Sequence, residues 1–386
     1  MLNRRILRAK AMQHVYAYKQ CQRSNYELAF QHIQDAYQPD LNSMEVQDKH
    51  QLAAESKLAA ELLEDYFGHK PMREADDKHR KVAEEAVRLY ERQCSKDESF
   101  LLNQMLSSTE RIADHYLLFL LLLVELAEES HRDQQKPSYS ARPQVEVHTN
   151  FYLNKVIQAI RDSEELQREA EQRKLNWNEH VVEIRQWYKN SVKTDEEFKK
   201  YQMSEQPGLE EDIKIVRYIF NNIILKSEPI ANVFEENDIN WAENSKAIKS
   251  MVNKTVKSLD EDSGEIEIVE LTPNWEEDRE FLRDLYKLTI KNDLEYETLI
   301  KEKSKNWSVE RIASLDSIVI KMAIAEMLNF SSIPVKVTIN EYIDLSKNYS
   351  THKSKQFVNG MLDVIAQELQ DRNMIRKSGR GLIDNQ

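Results

Sequence analysis

Six glycines and eight prolines are the only strong turn-formers in a chain of 386 residues. Average usage would supply roughly 7% glycine and 5% proline. So few turning points leave little room for a many-stranded sheet, while helices can run long without them. With Leu, Ala, Glu, Lys and Gln abundant, the sequence predicts an all-α fold of long helices joined by few breaks.

The same scarcity narrows the chemistry. No phosphate-cradling or dinucleotide-binding glycine motif occurs, and the ten histidines form no HExxH or Cys/His array. The Asn178-Glu179-His180 triplet alone is too weak a signal for a metal site. No catalytic residue, cofactor or metal is therefore expected. Cys21 and Cys94 stand far apart in sequence, which fits a reduced compartment. Because His14, Tyr16, Tyr18 and Lys19 interrupt the opening, no secretory signal is expected and the protein is placed in the cytoplasm. The stretch YLLFLLLLV, residues 116–124, is far shorter than the roughly 20 residues a membrane span needs. It predicts a buried helix, and no membrane partner.

Along the chain, four regions are expected. Residues 1–130 form an N-terminal helical region, its opening twenty residues a basic helix and residues 24–130 continuously helical. Residues 131–260 form a charged helical insertion that begins at a linker, HRDQQKPSYSARPQ; residues 150–201 read as a long hairpin or short coiled coil. A helical bundle at 275–370 and a flexible tail at 371–386 complete the chain. Between insertion and bundle, DEDSGEIEIVELTPNW carries the only clear alternating pattern and predicts an extended connector. STERIAD and SVERIAS echo each other at Ser108 and Ser308, as two helix starts built alike would.

The opening MLNRRILRAK AMQHVYAYKQ holds five basic residues and no acid, although the formal net charge of the protein is −13. Clustered arginines pair with phosphates and stack on bases, and neighbouring tyrosines offer stacking surfaces for unpaired bases. At the other end, Ser308 is expected to cap a helix with Ile312, Leu315, Val319, Met322 and Ala323 on one face, ended by 331–334. Asn340 and Ser354 are expected to start two more. Gly360 inside the last costs roughly 1 kcal/mol relative to alanine, which suggests a close helix contact.

The order of these elements resembles the transcription antitermination factor NusB family. The resemblance rests on Glu326-Met327, Ile333-Pro334-Val335, Ile339-Asn340-Glu341, and Phe357 to Asp363 reading FVNGMLD. The arginine-rich start with Gln13, Val15 and Tyr16 also matches. It covers roughly the first 20 and last 110 residues, with an enlarged middle. The resemblance implies two packed helical bundles and a non-enzymatic factor that binds boxA-type single-stranded RNA of ribosomal transcripts with the ribosomal protein NusE, within the transcription elongation complex. It implies Arg4, Arg5, Arg8, Gln13, Tyr16, Lys355 and Phe357 as RNA contacts and Asp316 as the NusE contact. Phe357 also reads as a core residue, Lys355 as a solvated lysine, and Asp316 as an acid that steadies a first helical turn. At the family's usual arginine stands Lys321. The remaining alternative is a helical scaffold with a solubilising basic end.

Overall fold

The computed structural model describes every residue except 1, 41, 43–45, 69, 72, 136–148, 305–312, 352, 353 and 386. Fifteen α-helices and no strand occur among the described residues, as the composition predicts. They divide into two compact units.

The first unit comprises Arg4–Leu106 and Glu277–Gln386. The opening helix is longer than expected: α1 runs Arg4–Ala36. The helix expected over 24–130 is broken twice, after α1 and after α2 (Lys49–Phe67). Pro39 bars one continuation and Gly68 with Pro71 the other. Asp48 caps α2 by accepting from the His50 and Gln51 amides. The third helix, α3, spans Asp77–Gln134, and its first half belongs to this unit. There Ala29, Ile33 and Tyr37 pack with Ala59, Leu63, Ala86 and Val87.

The other half of this unit is built from α11 (Trp275–Lys291, whose first residues fall in the second unit), α12 (Asp293–Lys303), α13 (Ser314–Asn329), α14 (Val335–Tyr349) and α15 (Ser354–Asp371). The single apolar face expected of α13 is a correction. Residues 318–327 are all buried, because α1, α12, α14 and α15 all pack against this helix. Ser308 and Ile312 lie outside the described residues. The second helix starts at Val335 rather than Asn340, with Pro334 as N-cap. Gly360 is a further correction: a Cβ there would meet nothing within 4 Å.

The expected tail also differs. Asn373, at φ 53°, closes α15 in the left-handed conformation that asparagine tolerates. The chain then folds back on the turn at 331–334. Ser378 donates its N–H to the Ser331 carbonyl at 3.0 Å, and Lys377 Nζ reaches the Phe330 carbonyl at 2.9 Å.

The second unit is Ser107–Glu276, joined by Leu2 and Asn3. The second half of α3 is its spine, and Ser108 lies inside that helix rather than at a helix start. Residues 116–124 are part of it, with Tyr116, Leu117, Phe119, Leu120, Leu122 and Leu123 buried. Phe119 stacks on Phe234 and Trp241 at centroid distances of 4.3 and 5.7 Å. Residues 150–201 form no long hairpin but short helices: α4 (Lys155–Asp162), α5 (Glu164–Arg173), α6 (Val181–Trp187) and α7 (Glu196–Gln202). Val156, Ile157, Ile160, Ile184 and Trp187 are buried within the unit. The helices α8 (Leu209–Tyr218), α9 (Glu228–Asn237) and α10 (Trp241–Lys257) follow, α8 starting at the expected Gly208 break. Of the linker, Gln134 still belongs to α3 and residues 136–148 lie outside the described set.

Candidate nucleic-acid interface

The basic end of α1 meets acids from three other helices of its unit. Arg8 is buried, its side chain 5% exposed, and its guanidinium donates to both oxygens of the fully buried Glu326 on α13, at 2.7 and 2.8 Å. Thr338 and Tyr342 on α14 donate to the same carboxylate at 2.8 and 3.2 Å. The Arg8 guanidinium also lies 5.5 Å from the Phe281 ring centre and 5.9 Å from that of Tyr342. Burial pulls its pKa down, but the Glu326 carboxylate outweighs that and raises it.

Arg5 sits further out, 51% exposed, paired in a bidentate fork with Glu341 at 3.0 Å and with Asp344 at 3.0 Å. Its pKa is raised chiefly by the Glu341 hydrogen bond. Arg4 binds Glu277 and Asp278 on α11, and its guanidinium lies 5.0 Å from the Phe281 ring centre. The three arginines are thus brought together around Phe281 and Glu341. Each is already committed to a carboxylate.

Farther along α1, Gln13 is half-buried and Tyr16 is 42% exposed, eleven residues or about three turns beyond Arg5. Lys355 is exposed in the first turn of α15 and makes no ion pair among the described residues. Phe357 is half-buried, while Val358, Met361, Leu362 and Ile365 carry the inward face.

Asp316 is 4% exposed, and its Oδ1 has no hydrogen-bond partner among the described residues. Lys321 is nearly buried between Asp293 at 2.7 Å and Glu297 at 3.0 Å, and Lys19 reaches Asp293 at 2.6 Å. A point-charge ammonium suits this three-way arrangement, which needs no planar fork.

Sequence reasoning overlooked the acids that receive the arginines. Glu326 and Glu341 stood inside recognised motifs, but nothing local links them to residues more than 300 positions upstream. The only available signal was charge: a cluster of arginines at one end of an acidic chain.

A family model described as the NusB family matches residues 244–367. The stretch from Arg4 to Lys19 lies outside that match. The chain is 40% identical over 105 residues to the transcription antitermination protein NusB of Salinibacter ruber, covering 27% of this chain and 66% of that protein. It is 41% identical over 106 residues to the protein of the same name from Chloroherpeton thalassium, covering 28% and 50%. For that of Geobacter sulfurreducens the identity is 40% over 108 residues, 28% of this chain and 78% of the relative. The chain thus spans between half and two thirds of the first two relatives. No solved structure matches the chain. Among the described residues, no helix is long and apolar enough to cross a membrane.

Proposed function

Because the chain belongs to the NusB family, we propose that it is an RNA-binding antitermination factor which docks, together with NusE, on boxA-like single-stranded RNA of nascent ribosomal transcripts. It acts in the cytoplasm, within the transcription elongation complex, and performs no catalysis. The observation that carries the reading is the way α1 is held. The Arg8–Glu326 clasp fixes the helix on α13 and α14, and on that fixed helix Arg5 and Tyr16 remain accessible.

The half-exposed Arg5 guanidinium can exchange its contact with the more exposed Asp344 carboxylate for a phosphate at little cost, because surface ion pairs contribute only about 0–1 kcal/mol. The Tyr16 ring offers a stacking face, and Gln13 beside it can read a base edge. Arg4 and Lys355 serve as further phosphate contacts and Phe357 as a second stacking ring. Arg8 contributes by positioning the helix, since its donors point into the protein. Asp316 is the NusE contact in this scheme, and its Oδ1, which has no hydrogen-bond partner among the described residues, supports the assignment.

The ion pairing favours one second reading, in which the arginines only brace a helical scaffold. Fluorescence anisotropy with a boxA-like RNA and a scrambled control, across a salt series and with or without NusE, separates the two. Preference for boxA, tightened by NusE and weakened by salt, is expected. Equal or absent binding to both RNAs would leave only the scaffold.

A further inference from the structure

Residues 372–380, RNMIRKSGR, hold four basic residues and no acid. The chain enters them from the last turn of α15 and lays them against the turn at 331–334, just before α14. Besides the contacts of Ser378 and Lys377 with the Ser331 and Phe330 carbonyls, the Ser378 hydroxyl donates to the Ser331 hydroxyl at 3.0 Å. Gly379, at φ 54°, lets the backbone reverse, and Gly381 makes a close approach to the Ser331 carbonyl that a side chain would block. The basic stretch is therefore held in one place instead of trailing from the helix.

Its four cations differ in what they already hold. Arg372 is paired with Glu368 at 2.6 Å and with Glu302 at 3.8 Å. Lys377 is half-buried and donates to the Phe330 carbonyl. Arg376 and Arg380 are exposed, and their side chains make no ion pair or hydrogen bond among the described residues. Arg376 and Lys377 also line a cavity of about 520 Å³, with Val335 of α14 and Gln370 of α15 on its other walls. No acid lines it among the described residues. The arginines of α1 must give up a carboxylate to take a phosphate, whereas Arg376 and Arg380 give up nothing.

A short series of contacts joins this stretch to the α1 arginines within the same unit. The Arg4 and Arg8 guanidiniums lie 5.0 and 5.5 Å from the Phe281 ring centre, and Phe281 meets Phe330 edge-on at a centroid distance of 5.0 Å. The Phe330 carbonyl in turn receives the Lys377 ammonium. Along α14, Val335 stands six residues, about 9 Å, before Glu341, the partner of Arg5. Lys355 follows the other end of α14. A strand that runs from Lys355 past Arg5 is thus led toward the tail.

We propose that the folded tail is a second phosphate-binding surface, on which Arg376 and Arg380 hold the backbone of the single-stranded RNA that flanks the boxA-like element on one side, an inference that rests on the RNA reading of α1. Backbone contacts carry no sequence information, so the tail adds affinity and salt dependence but no selectivity.

The test uses the full-length protein and labelled RNAs: the boxA-like element alone, and the element with an oligouridine flank on its 5′ or its 3′ side. Fluorescence anisotropy is recorded across a salt series. One flank, and not the other, is expected to tighten binding by roughly tenfold, as about two phosphate contacts are added. Arg376→Ala/Arg380→Ala is expected to lose that gain and to bind the unflanked element as the native protein does. On the flanked RNA its salt slope is expected to be smaller by about 1.4, roughly 0.7 for each lost contact. Arg376→Lys/Arg380→Lys keeps the charges and most of the gain. Gly381→Ala keeps both arginines but displaces the tail, and is expected to lose the gain. A gain from neither flank or equally from both, a gain that survives either alanine variant, or an equal loss on the unflanked element would each overturn the proposal while leaving the RNA reading of α1 in place. Failure of the native protein to bind the unflanked element would overturn both.

Discussion

Arg8 carries a full charge into a place water does not reach, and Glu326 meets it with both carboxylate oxygens. Breaking such a pair from one side leaves the other charge buried and unpaired, so Arg8→Met is expected to cost about 3–5 kcal/mol in urea unfolding. Replacing both partners, Arg8→Met with Glu326→Leu, is expected to recover most of that loss. A second residue-level prediction concerns acid. Lys301, foremost, and Lys321 hold the Glu297 carboxyl at about 2, well below its ordinary 4.5, against the opposing effect of burial. Its folded pKa is depressed, so its stabilisation is complete above about pH 4.5 and is lost as the pH falls toward 2. Unfolding midpoints measured across that window should fall less steeply for Glu297→Gln than for the native protein.

Among the elements, two glycines separate what sequence could and could not say. Gly360 invited a packing explanation, yet open space surrounds its Cβ position. Gly360→Ala is therefore expected to stabilise the protein by roughly 0.5–1 kcal/mol, read from chemical denaturation. Gly381 drew no attention because it stood in a small, polar tail. A Cβ there would lie 2.0 Å from the Ser331 carbonyl oxygen, so only glycine lets the tail lie on that turn. Gly381→Ala should release the tail and speed tryptic cleavage at Arg376, Lys377 and Arg380, and an unchanged digestion rate would contradict this. The boundaries of α8 and α15 were legible because Gly208 and Ser354 mark them locally. The burial of α13 on every side was not, since it depends on which helices surround it.

At the scale of the molecule, helical class, family and the buried nature of 116–124 could all be read before the structure. The ordered motifs from Glu326 to Asp363 fall on α13, α14 and α15, which pack on one another. The division of the chain was less legible, because α3 supplies one half to each unit without a break in its helical pattern. The charge balance was legible only as a total. Once the units are known, the Arg4–Leu106 and Glu277–Gln386 unit holds 33 basic and 34 acidic residues, close to neutral, and the other unit carries the acidity. A near-neutral unit does not repel RNA as a uniformly acidic body would. The candidate RNA residues are evident by type, but their division of labour depends on packing: Arg8 faces inward, and Arg5, Tyr16 and Lys355 face solvent. That division is measurable in one experiment, the affinity of Arg5→Ala/Tyr16→Ala/Lys355→Ala for boxA-like RNA, recorded beside its unfolding curve. Affinity is expected to fall by about tenfold or more while the unfolding midpoint hardly moves, because one stacking ring and two phosphate contacts are lost from the surface. Undiminished affinity in a folded variant would contradict it.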